Sequence, residues 1–213
     1  MDPQRSWLSI RGLLVFGVIW LATMLPIAWL PAAHAATGQL VVEGLDALLV
    51  IFAIRMLGGV ERRHLDPRLV DPRYWRWSLF ALIVLIPINL GYHQAVTRLL
   101  GIADDASLTE VFLSSGFPVW AAVLSIVVQP AIIEELGFRG IVQGRLTGVV
   151  GAREAVVISA LAFGIIHMAW FSTPYLVLLG LVLGWLRVAS GSLLPCMLLH
   201  ALHNAVVLIL DMR

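Results

Sequence analysis

Gln129-Pro130-Ala131-Ile132-Ile133-Glu134-Glu135-Leu136-Gly137-Phe138-Arg139-Gly140 follows an apolar run, Phe117 to Val128, long enough to carry it well into a bilayer. Two adjacent carboxylates and an arginine are thereby set at membrane depth. An unpaired charge there costs at least about 2.5–3.5 kcal/mol on insertion scales. Ionisable residues in such a segment point to a functional site with partners elsewhere in the chain. His167, His200 and Asn204 are the candidates.

Composition supports the membrane reading. Of 213 residues, 60% are hydrophobic and only 13% charged, against about 25% charge in a soluble domain. The mean hydropathy is +0.94. The chain therefore reads as an all-α, polytopic membrane helical bundle forming one domain over 1–213. The single cysteine, Cys196, excludes an internal disulfide and a CxxC site. No basic patch with interleaved aromatics points to nucleic acid. The 14 basic residues are all arginine, which has no physical account here.

A helical span needs about 20 mostly apolar residues. Seven segments approach this, at 12–30, 39–58, 78–97, 117–145, 154–171, 174–189 and 193–210. Arginines gather before the first segment (Arg5, Arg11), in the second loop (Arg62, Arg63, Arg68, Arg73, Arg76), in the fourth (Arg145, Arg153) and in the sixth (Arg187). The third loop is acidic, with Asp104, Asp105 and Glu110. The positive-inside rule then places the N-terminus in the cytoplasm and the C-terminus outside. The first segment followed by Ala33-His34-Ala35 also has the outline of a signal peptide. Its apolar run exceeds the usual length, which favours an uncleaved helix; cleavage would leave six spans.

Other polar residues on the segments have quieter readings. Glu43 and Asp46 fall within about 10 Å of the outer end of the second segment, at 1.5 Å per residue. There they are either solvated at the interface or part of a second polar cluster. Pro87, Asn89 and His93 make a mildly polar stripe on the third, read as packing or a helix kink. Asp-Pro-Arg recurs at 66–68 and 71–73, ahead of the interfacial aromatics Tyr74, Trp75 and Trp77.

On the fourth segment Glu135 and Arg139 are four residues apart and share a helical face, as an ion pair requires. Glu134 points about 100° away and is left for another partner. Two neighbouring carboxylates in a poor dielectric cannot both ionise cheaply. Phe163 and His167 share a face of the fifth segment, where Gly164 admits another backbone closely. His200 and Asn204 share a face of the seventh, with His203 about 60° away. Counted from the cytoplasmic side, Glu134 lies ~16 Å deep, His167 ~20 Å and His200 ~12 Å. A water-holding polar chamber open to the cytoplasm follows.

Glu134-Glu135-x-x-x-Arg139, Phe163-x-x-x-His167 and His200-x-x-x-Asn204, in that order on successive apolar helices, resemble the three motifs of the CAAX-protease and bacteriocin-processing family. That family includes the eukaryotic Rce-type prenyl-protein endopeptidases. The resemblance covers about residues 117–208 and does not reach the first three segments. It implies an intramembrane endopeptidase of glutamic type, in which Glu134 and His167 activate water while His200 and Asn204 stabilise the oxyanion. Glu135 and Arg139 would position Glu134 or contact substrate, Phe163 would shape the pocket, and His203 would be structural.

Metal use stays open at this stage. Two histidines and a glutamate can form a zinc site, but the local His-Glu-x-x-His signature is absent and the glutamic mechanism needs no metal. A metalloprotease using the same residues, a proton-relay or transport protein, and an immunity factor are the competing readings. The transport reading lacks an inverted repeat with broken helices. The expected partners are the lipid bilayer and a protein or peptide substrate: prenylated, a precursor, or a C-terminal sorting tail. Small size without eukaryotic features points to a prokaryotic plasma membrane.

Overall fold

A computed structural model describes residues 3–24, 34–101 and 108–212. Among them there is no strand. The helices are α1 (Pro3–Met24), α2 (Ala35–Leu57), α3 (Pro72–Leu100), the short α4 (Leu108–Ser114), α5 (Val119–Val150), α6 (Ala152–Ile166), α7 (Thr173–Ser190) and α8 (Leu194–Asp211). The bundle of apolar helices is the architecture the composition demands. The count of seven spans is not reproduced as such. Among the described residues α3, α5, α7 and α8 are long and apolar enough to cross a membrane, with a shorter apolar stretch at Ile10–Thr23. The candidate cleavage site at Ala33 and the acidic pair Asp104 and Asp105 fall outside the described residues.

Three local differences from the sequence reading have physical causes. The fifth segment stops early: α6 ends at Ile166, and Met168 has φ 50, a left-handed conformation that no helix continues through. Arg98 lies in the last turn of α3, on the side of the acidic loop, where it faces the negative end of the helix dipole. Glu43 and Asp46 are buried rather than solvated. Glu43 accepts from the Ser125 hydroxyl and from Gln39 Nε2 at 3.0 Å, and Asp46 accepts from Thr23 at 2.7 Å.

The Asp-Pro-Arg repeats serve as two identical caps. Asp66 and Asp71 each accept from the backbone N–H of the arginine two residues on, at 2.9 Å, with proline at the first helical position. Such a proline gives up no hydrogen bond, because that N–H has no intrahelical partner. The same loop docks on the start of α8. Leu193 N–H and the Ser192 hydroxyl both donate to the His64 carbonyl, at 2.9 Å each. His64 Nδ1 accepts from the Glu61 N–H; desolvation, then the nearby Arg187 charge, hold this histidine below its ordinary pKa.

α5 carries the site and is not a regular helix. It widens into π-type turns over Val123–Val128 and Glu135–Val142. Pro130 has no N–H to give the carbonyl four residues back, which is Ile126. That carbonyl instead accepts from Asn204 Nδ2 of α8 at 2.9 Å. Wide turns of this kind recur at functional sites because they re-aim side chains without ending the helix.

Close backbone contacts hold α5 against its neighbours. Gly180 and Gly184 on α7 offer their carbonyls to Arg139 Nη2 and Gln143 Nε2 of α5, at 3.4 and 3.0 Å. A Cβ at Gly180 would fall 3.0 Å from the Ala160 Cα of α6, so the small residue sets the α6–α7 distance. Gly59, after α2, has φ +100, and a Cβ there would lie 2.6 Å from the Gly140 carbonyl oxygen of α5. Gly59→Ala is expected to cost about 1–3 kcal/mol from backbone strain alone, read as a lower thermal midpoint in detergent. An unchanged midpoint would remove this contact from the account.

Candidate active site

Three helices deliver the motif side chains to one place. Glu134 Oε2 lies 3.8 Å from His167 Nε2 and 4.0 Å from His200 Nε2. It is buried and has no hydrogen-bond partner. The gaps exceed a direct hydrogen bond, and one water is the right size to reach all three groups. His167 closes the end of α6 rather than sitting inside a longer span. Its Nδ1 donates to the Phe163 carbonyl at 2.7 Å, so in the neutral ring the lone pair is on Nε2, toward Glu134.

Glu135 and Arg139 are both fully buried and paired at 3.0 Å, the i,i+4 pair read from their spacing. Glu135 Oε1 also accepts from His200 Nδ1 at 2.9 Å. Arg139 is compensated further by the Gly180 carbonyl and by the face of Phe163, 4.4 Å from the ring centroid. A guanidinium can sit there because carboxylate, carbonyl and π face together replace part of its hydration. Phe163 is fully buried between the two histidines, its ring centroid 4.7 Å from that of His167 and 5.9 Å from that of His200. It fixes both imidazoles by packing.

Asn204 lines the same cavity, but its hydrogen bonds among the described residues run to Ile126 and, through Oδ1, to His203 Nδ1 at 3.2 Å. Its second amide N–H is the one left for other work. His203 is buried, stacked on Tyr175 (ring centroids 5.6 Å apart) and bonded to its hydroxyl at 2.6 Å. Tyr175 escaped the sequence reading. An aromatic in the first turn of an apolar helix gives no signal of its own; its partners, His203 and the Leu85 carbonyl, lie on other helices.

The cavity measures about 620 Å³ and is lined by Glu134, His167, His200, His203, Asn204 and Tyr175 among others. Apolar surface dominates its wall, so the few polar groups in it act in a poor dielectric. Among the described residues no group of three His, Cys, Asp or Glu side chains stands close enough together to hold a metal ion; Glu134 Oε2 approaches the two histidine Nε2 atoms to 3.8 and 4.0 Å.

No curated protein and no solved structure matches the chain. Residues 116–206, from α5 through most of α8, match the Rce1-like family model, described as type II CAAX prenyl endopeptidase. Every residue of the glutamate, histidine and asparagine constellation lies within that stretch, and over it the chain is similar to the type II CAAX prenyl endopeptidases.

Proposed function

We propose that this protein is an intramembrane endopeptidase in which Glu134 activates the attacking water without a metal. The observation that carries the reading is the buried, unpartnered Glu134 Oε2 beside the Nε2 atoms of two histidines. Water placed there gives one proton to Glu134 and keeps the other, which donates a hydrogen bond to His167 Nε2. The hydroxide equivalent adds to the scissile carbonyl carbon. In its imidazolium form His200 donates at both nitrogens, Nδ1 to Glu135 and Nε2 to the oxyanion, joined by the free N–H of Asn204. Glu134 then returns its proton to the departing amine, so that one water and one peptide bond become a carboxylic acid and an amine. General-base catalysis is worth about 10²–10⁴-fold, and each oxyanion donor about 10²–10³-fold.

Glu135, Arg139 and Phe163 hold this set in place. The exposed Arg62, Arg63, Arg68, Arg73 and Arg76 near the start of α3 support a cytoplasmic face for that end of the bundle. The family's description makes a prenylated CAAX peptide the first probe; prokaryotic precursors and sorting tails are the other candidates. The purified protein in lipid vesicles is expected to cleave an internally quenched farnesylated peptide, with kcat unchanged within twofold after exhaustive chelation. Loss of activity on chelation, restored by zinc, would overturn the metal-free mechanism. Ion flux without cleavage of any membrane peptide would overturn proteolysis itself.

A further inference from the structure

The cavity around Glu134 is completed by α2 and α3, which lie outside the family-matched residues. Asn89 of α3 lines it, is 8% exposed, and has a buried Oδ1 with no hydrogen-bond partner. A buried amide oxygen left unpaired costs free energy that a leucine at the same place would not. Gln39 of α2 lines the same cavity. Its Nε2 donates to Glu43 Oε1 at 3.0 Å. Glu43 is itself fixed by Ser125, and its backbone carbonyl accepts from Gln129 Nε2 at 3.3 Å. The buried carboxylate of α2 thereby orients a neutral amide at the cavity wall.

A side-chain carboxamide carries the same donor and acceptor as a peptide group. A substrate segment drawn into an apolar cavity brings peptide N–H and C=O groups, and each must find a partner away from water. We propose that Asn89 and Gln39 bind the backbone of the substrate peptide, with Asn89 Oδ1 accepting a peptide N–H. This rests on the endopeptidase reading and adds a binding site to it. Neither residue is charged, so the site grips the main chain and leaves side-chain preference to the apolar remainder of the cavity.

The test uses the farnesylated quenched peptide and a set in which one backbone N–H at a time is methylated. With the wild-type protein in vesicles, one methylated position is expected to raise KM about tenfold, the equivalent of one hydrogen bond, with kcat within twofold. Asn89→Leu raises KM about tenfold for the parent peptide, and that same methyl group then has no further effect. Gln39→Leu behaves likewise at a second position. Equal methyl effects in wild type and variant, or no methyl-sensitive position in wild type, would overturn the proposal. Should Asn89→Leu fail to fold, Asn89→Ser takes its place in the same cycle. If wild type cleaves none of these peptides, the endopeptidase reading fails, and fluorescence anisotropy of the bound peptides decides the backbone site. Methyl sensitivity lost in the Asn89 variant sustains it, and methyl-insensitive binding overturns it.

Discussion

Glu134→Gln is expected to lower kcat by about 10²–10⁴-fold while the protein folds and binds peptide as before. Glutamine has the shape of glutamate but cannot take a proton from water. The variant thus keeps the packing against His167 and His200 and removes only the proposed base. Because Glu134 Oε2 has no hydrogen-bond partner in the fold, the substitution breaks no hydrogen bond at that atom, and the thermal midpoint should stay within a few degrees. Anisotropy with the farnesylated peptide should give an unchanged dissociation constant. Cleavage within tenfold of wild type would mean that Glu134 is not the base.

Arg139→Leu should be the most damaging single change to stability. It strands the Glu135 carboxylate, whose side chain is fully buried, and orphans the Gly180 carbonyl on α7. Breaking a buried ion pair from one side costs about 3–5 kcal/mol, which for a chain of this size is a drop of roughly 10 °C in thermal midpoint. Removing both charges in Arg139→Leu/Glu135→Leu should recover part of that drop, because no uncompensated charge remains. Catalysis should stay lost, since His200 Nδ1 no longer has its carboxylate. Additive losses of stability in the double variant would show that the two residues do not act as a pair.

The site was legible in the sequence wherever charge or helical spacing carried it. Glu135 and Arg139 pair as their spacing of four requires, and Glu134 points away from them toward the histidines. What the sequence concealed depends on backbone atoms and on neutral side chains. The apolar letters after His167 continue the hydropathy of α6, although the chain has already turned at Met168. Asn89, in a stripe with Pro87 and His93, reads as packing or a helix kink, and its place on the cavity wall needs three dimensions. Glu43 looked like an interfacial residue because Ser125, which buries it, is 82 positions away. The number of spans is the least legible quantity. A run of apolar residues records an environment, whereas a helix long enough to cross a bilayer also needs unbroken backbone hydrogen bonds.

The missing N–H of Pro130 reaches as far as the timing of the reaction. Through the Ile126 carbonyl it commits one proton of the Asn204 amide, 78 residues on, and His203 occupies the oxygen. The amide therefore enters any encounter with substrate already locked in one rotamer and one flip state. Whatever it contributes comes through a single remaining N–H whose direction was set when the helices assembled. The reorganisation that a freely rotating asparagine would undergo at each turnover is here completed once, during folding.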